Sequence, residues 1–153
     1  MQARMKNPAY VLPGALKGIG GIFQAIGESG LSQEVQELVG LRASQINGCG
    51  ACVHGHVQNL RKAGASEERI ASVTAWRDAP FYDDAERAAL QLTESVTRLA
   101  DRSHESVPDA LWDEAADHFD ERELSALILT IAVTNLFNRI NTTIKEPAGT
   151  TWG

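Results

Sequence analysis

Residues 31–66 read LSQEVQELVGLRASQINGCGACVHGHVQNLRKAGAS. Val35, Leu38, Val39, Ala43 and Ile46 recur at helical spacing, so they share one face of a helix expected over 33–46. Ser32 is placed to cap its start, with Glu34 in the favourable first turn. The dipeptide Asn47-Gly48 ends it. A second helix is expected to begin at the cysteines and to run to about Lys62, where AGAS stops it. Two helices joined by so tight a turn must lie side by side, and this hairpin decides the fold.

The rest of the chain reads the same way. Leu16, Ile19, Phe23 and Ile26 form an apolar stripe over 14–27, beside a second stripe of Gly14, Gly18, Gly21 and Ala25 that would let another backbone approach closely. A short helix is expected at 66–76, with Ser66 as its cap. RDAPFYDD is a loop broken by Pro80. A long helix follows from 84 to about 102, opened by an Asp83–Glu86 capping box, with Ala85, Ala89, Leu92, Val96 and Leu99 facing inward. Pro108 suits the first turn of another helix ending near Phe119. Asp120 and Glu123 form a second capping box ahead of ELSALILTIAVTNLFNRI. That last helix is apolar nearly all round, which implies burial on more than one side. No strand pattern, domain boundary or low-complexity tract stands out. The expectation is one all-α domain of six or seven helices spanning 1–153.

Composition narrows the function. The 153 residues are 43% hydrophobic and 22% charged, with a net charge of −6, as in a water-soluble globular domain. Nucleic acid and anionic membrane surfaces both need clustered Lys and Arg, so neither is an expected partner. No apolar run approaches the ~20 residues of a membrane helix, and MQARMKNPAYVLPG lacks the apolar stretch of a signal peptide. A cytoplasmic location is therefore expected, where structural disulfides are rare. A bridge between Cys49 and Cys52 would also close a very short loop and remove little chain entropy.

Cys49 and Cys52 are the chain's two cysteines. On a helical wheel Cys49, Cys52, His56, Leu60 and Ala63 follow one line of three- and four-residue steps. Val53 and Val57 lie on the adjacent inward line. His54 falls on another line, with Gln58, Arg61 and Lys62, and reads as a surface residue or an oligomer contact. The cysteines occupy the first turn, where unpaired N–H groups and the positive dipole end favour a thiolate over a thiol. A thiolate with a second thiol one turn away has a ready cycle. An oxidant makes a sulfenic acid, the second thiol condenses with it to a disulfide, and an external dithiol restores both.

Glu37 shares a line of the preceding helix with Leu41 and Ser44. A carboxylate on a half-covered face needs a partner, and His56 on the returning helix is in place to supply one. Glu37, His56 and a cysteine would then form a proton relay. The plainer reading leaves Glu37 on a solvated face.

Glu37, eleven residues, then Cys49-Gly50-Ala51-Cys52 and Val53-His54-Gly55-His56 resemble the core motif of AhpD-like alkylhydroperoxidases, in the carboxymuconolactone decarboxylase superfamily. DDAERAALQLTESVTRL and ELSALILTIAVTNLFNRI are similar to that family's later helices, so the resemblance covers about 31–141. It implies an all-α fold assembled as homotrimers or homohexamers. It also implies peroxidase activity through thiols, without metal, haem or other cofactor. Cys52 would attack the peroxide, Cys49 would resolve the intermediate, and His56 with Glu37 would relay the proton. A hydroperoxide would be the substrate. The reductant would be an external dithiol, for which a lipoyl-bearing protein can serve in the family. The wheel agrees on Cys52, which alone has a histidine one turn along its face. One departure is Ala51, where the best-studied branch has a histidine. The decarboxylase branch lacks the cysteine pair. Three other readings accompany this one: a redox-sensing or assembly protein using the same pair, a structural zinc site of Cys49, Cys52, His56 and either His54 or Glu37, and cysteines that are small buried hydrophobes.

Elsewhere Trp76 and Trp112 read as core or interface aromatics, and Trp152 as an anchor for the tail. His104 and His118 lie at expected helix ends. Asn135, Asn138 and Arg139 are polar positions on an apolar helix, expected to satisfy buried groups or line a subunit contact.

Overall fold

The computed structural model describes residues 1–102, 104 and 106–150, so the expectation for Trp152 falls outside the described residues. The described residues form eight α-helices, two 3-10 turns and loops, with no strand among them. The helix beyond the expected count is a single turn, α1 (Pro8–Val11). Asn7 caps it by accepting from the Ala9 N–H, and Pro8 supplies a preset first position. Then follow α2 (Pro13–Gly27), α3 (Gln33–Asn47), α4 (Gly50–Lys62), α5 (Glu67–Ser72), α6 (Asp84–Thr97), α7 (Asp109–His118) and α8 (Glu121–Ile144). The expected caps form: Ser32 on the Val35 N–H, Ser66 on the Arg69 N–H, and both capping boxes complete.

α3 is the hub, packed against α4, α6 and α8. Its apolar residues were expected on one face, and they divide between two cores. Val35 and Val39 join Ile26, Leu92, Phe119, Leu127 and Ile131 in one. Leu38 and Leu41 join Leu60, Ile70, Val73, Trp76 and Leu90 in the other. A helix buried on two sides holds its residues in place more firmly than one lying on a surface, and α3 carries Glu37.

Three local expectations are corrected. The helix expected over 66–76 tightens at Val73 into a 3-10 turn, Val73–Asp78, in which the i, i+3 pair Val73 and Trp76 are both buried. The helix expected to reach 102 ends at Thr97, because Arg98 leaves helical geometry (φ −102°, ψ 26°). Leu99 then rotates out of the buried stripe and is 50% exposed. On α2 only Ile26 is fully buried, while Leu16 and Phe23 face outward, since α2 packs mainly on α1 and α8. No backbone approaches its glycine stripe: a Cβ at Gly14, Gly18 or Gly21 would meet nothing within 4 Å.

α8 runs along α2, α3, α4, α6 and α7. Among the described residues it is the one helix long and apolar enough to cross a membrane, contrary to the expectation of none. Half of its most apolar stretch is buried inside the protein. Leu124, Leu127 and Ile131 enter the core, while Ile128, Leu129 and Leu136 stay exposed.

Candidate active site

Gly48 ends α3 in the left-handed region (φ 67°), which a side chain would disfavour, and the chain reverses directly into α4. Cys49 is the N-cap of α4, its Sγ accepting from the Cys52 N–H at 3.3 Å. Cys49 and Cys52 are joined in a disulfide with Cα atoms 5.3 Å apart. Both are buried. Among the described residues no three His, Cys, Asp or Glu side chains converge as a metal site would require.

One turn along, His56 Nδ1 lies 2.7 Å from Glu37 Oε2. A carboxylate only accepts, so Nδ1 donates in this contact. The other carboxylate oxygen, Oε1, accepts from Asn59 Nδ2 at 3.1 Å. Both oxygens of Glu37 are thus engaged, which holds the carboxylate and through it the ring. The ring lies against α3 where Gly40 leaves room. A Cβ on residue 40 would stand 2.2 Å from His56 Cε1 and 2.7 Å from each ring nitrogen.

A cavity of about 400 Å³ opens beside these groups. Cys52, Glu37, His56 and Asn59 line its polar end, and Leu16, Ile19 and Phe23 of α2 with Phe137 of α8 line its apolar wall. Cys52 borders this cavity and Cys49 is not among its lining residues. Phe23 and Phe137 stack with ring centroids 6.1 Å apart. The outward residues of α2 are therefore walls of the site.

An asparagine network braces the turn. Asn47 Nδ2 donates to Asn135 Oδ1 at 2.9 Å and to Asn138 Oδ1 at 2.8 Å. Asn138 Nδ2 donates to Ser44 Oγ at 2.9 Å. Asn141 Nδ2 reaches Cys52 Sγ at 3.3 Å. This answers the sequence expectation for Asn135 and Asn138: they satisfy buried groups.

The structure brings together Glu37, His56, Cys49 and Cys52. It leaves His54 exposed on the outer face of α4. Sequence reading missed Gly40, Asn59 and Asn141. Asn59 carried a signal, three residues after His56 and so on the same face. Asn141 carried one too, three residues after Asn138 and six after Asn135. Gly40 carried none, because what needs its space comes from another helix.

Residues 13–95 match the carboxymuconolactone decarboxylase family, more than half of the chain, and the chain belongs to that family. An uncharacterized protein of Bacillus subtilis (strain 168), YdfG, is 38% identical over 85 residues, 56% of each chain. The alkyl hydroperoxide reductase AhpD of Methylobacterium sp. (strain 4-46) is 43% identical over 65 residues, 42% of this chain and 34% of that one. The chain thus aligns with about half and about a third of the length of these two relatives. In three dimensions it is similar to ATU0492 of Agrobacterium tumefaciens, a protein of unknown function. The TM-score is 0.87 and the identity 32%, over 98% of this chain and 100% of that one. The protein is therefore an AhpD-like, all-α member of the superfamily carrying the CxxC pair.

Proposed function

We propose that the protein is a thiol peroxidase that reduces hydrogen peroxide or an organic hydroperoxide through Cys52 and Cys49. The observation that carries this reading is that Cys52 borders the cavity, one turn from a histidine held by a half-buried carboxylate. In the reduced protein the Cys52 thiolate attacks one peroxide oxygen. The S–O bond forms as the O–O bond breaks, and the alkoxide or hydroxide leaves with a proton delivered through His56, leaving Cys52 as a sulfenic acid. The Cys49 thiol then attacks the Cys52 sulfur; the disulfide forms and water leaves. The bonded pair described above has the composition of that product. An external dithiol, such as a lipoyl group on a partner protein, returns both thiols and takes up the oxidation as its own disulfide.

Ala51 stands between the cysteines, so proton transfer falls to His56 and Glu37 alone. A homotrimer or homohexamer in the cytoplasm belongs to the same reading. Support for assembly comes from the exposed Leu12, Leu16 and Phe23 of the α1–α2 face.

The test uses reduced protein with excess cumene hydroperoxide and a sulfenic-acid trap. Peroxide consumption is expected from the wild type. Cys49→Ser is expected to yield a trapped sulfenic acid on Cys52, and Cys52→Ser to yield none on Cys49. The opposite labelling would reverse the two roles, and no peroxide consumption would leave the redox-sensing reading in its place.

A further inference from the structure

Asn141 is 2% exposed, and the roles proposed for Cys49, Cys52, His56 and Glu37 leave it unused. Its amide orientation follows from the backbone outward. The Ala9 N–H, which can only donate, gives its hydrogen to Asn7 Oδ1 at 3.0 Å. Asn7, itself buried, must then turn its NH₂ the other way, and that group donates to Asn141 Oδ1 at 3.3 Å. Asn141 is left with its own NH₂ aimed at Cys52 Sγ, 3.3 Å away. Flipping Asn141 would set two NH₂ groups face to face and an oxygen lone pair against sulfur, losing both hydrogen bonds.

A sulfur in a disulfide accepts hydrogen bonds weakly, whereas a thiolate carries full charge and accepts strongly. The same N–H therefore favours the ionised, reduced sulfur over the protonated one. The titratable groups lining the cavity around Cys52 are Glu37 of α3, His56 of its own helix and Tyr10 of α1. α8 contributes only neutral groups there, Thr134, Asn138 and Asn141. An amide does not titrate, so its contribution moves the midpoint of Cys52 ionisation without adding an inflection.

We propose that Asn141 is a catalytic residue that stabilises the Cys52 thiolate through Nδ2, and that Asn7 is the positioning residue that holds the amide in that orientation. This rests on Cys52 being the attacking thiol. Asn7 and Asn141 lie on either side of residues 13–95, so the N-terminal segment and the last helix complete a site whose core lies between them.

The experiment uses the full chain with Cys49→Ser, which leaves one thiol and keeps a good N-cap on α4. The rate of alkylation by iodoacetamide and the ultraviolet absorbance of the thiolate are followed against pH. Asn141→Ala is expected to raise the midpoint by about one pH unit, a roughly tenfold loss of thiolate below it. Asn141→Asp, the same shape without the donor and with a negative charge, is expected to raise it further. Asn7→Ser keeps an acceptor for the cap of α1 but is too short to reach Asn141, and is expected to give a smaller rise. Unchanged midpoints in folded variants would overturn the proposal. If the Asn141 variants do not fold, Asn7→Ser decides it alone. Alkylation needs no peroxide, so a shifted midpoint without sulfenic acid would uphold Asn141 and overturn the peroxidase reading.

Discussion

A methyl group at residue 40 would occupy the space of the His56 ring, the nearest atom being 2.2 Å away. Glycine inside a helix costs about 1 kcal/mol relative to alanine, so this position keeps a helix-weakening residue for a neighbour's sake. The consequence is a change of sign. Gly40→Ala in the wild type is expected to destabilise by about 1–3 kcal/mol through overpacking, and to slow thiol oxidation by displacing the imidazole. In a His56→Ala background the same substitution is expected to stabilise by up to about 1 kcal/mol, because the ring is gone and only helix propensity remains. Denaturant unfolding of the four proteins measures both values. Equal effects in the two backgrounds would show that the ring does not need that space.

At the scale of elements, α8 joins a core helix to a polar ladder. Its first half buries Leu124, Leu127 and Ile131, and its second half buries Asn135, Asn138 and Asn141 at three-residue steps. The ladder ties α8 to Ser44 and Asn47 at the end of α3, directly before the cysteines. Asn138→Leu keeps a similar volume but leaves the Asn47 amide and the fully buried Ser44 hydroxyl each short of a partner. A loss of about 2 kcal/mol or more is expected, seen as a lower denaturation midpoint at unchanged slope. A neutral result would mean that the turn holds its shape without α8.

For the whole molecule, Glu94 is a charge that links three separate elements. Its Oε1 accepts from Arg42 Nε of α3 at 2.8 Å and from Trp76 Nε1 at 3.0 Å, and its Oε2 accepts from Arg77 Nη1 at 2.8 Å. Burial alone pushes this carboxyl up, but the hydrogen bonds from Trp76, Arg77 and Arg42, with the Arg42 charge, outweigh it and hold it below the usual glutamate range. A group whose folded pKa is depressed stabilises the fold fully above its unfolded pKa. That contribution is lost as pH falls through the lower, folded value. Glu94→Gln is thus expected to lower the melting temperature at neutral pH, with the gap to wild type closing as pH drops below the ordinary carboxylate range. Melting curves across pH test this. A gap that stays constant into strong acid would remove Glu94 as a source of acid sensitivity.

The helices and most of their ends were legible in the sequence because caps and apolar spacing act within a few residues. Ser32, Ser66 and the two capping boxes needed no distant partner to be read. The pair Cys49–Cys52 and the His56 beside it were legible for the same reason, since a single turn of helix sets their spacing. The Glu37–His56 contact was half legible: the tight turn brought the helices together, and only packing chose a partner for the carboxylate. Gly40, Asn59 and Asn141 depended on which helix lies across from which. So did the role of α2, whose outward Leu16 and Phe23 wall the cavity. Sequence by itself determined the all-α class and the placing of Cys49, Cys52 and His56 along one helix, because both follow from interactions one turn apart. The tertiary structure alone decided which donor meets the Cys52 sulfur, because that contact joins residues 89 positions apart, on α4 and α8, which only the packing of the helices brings together.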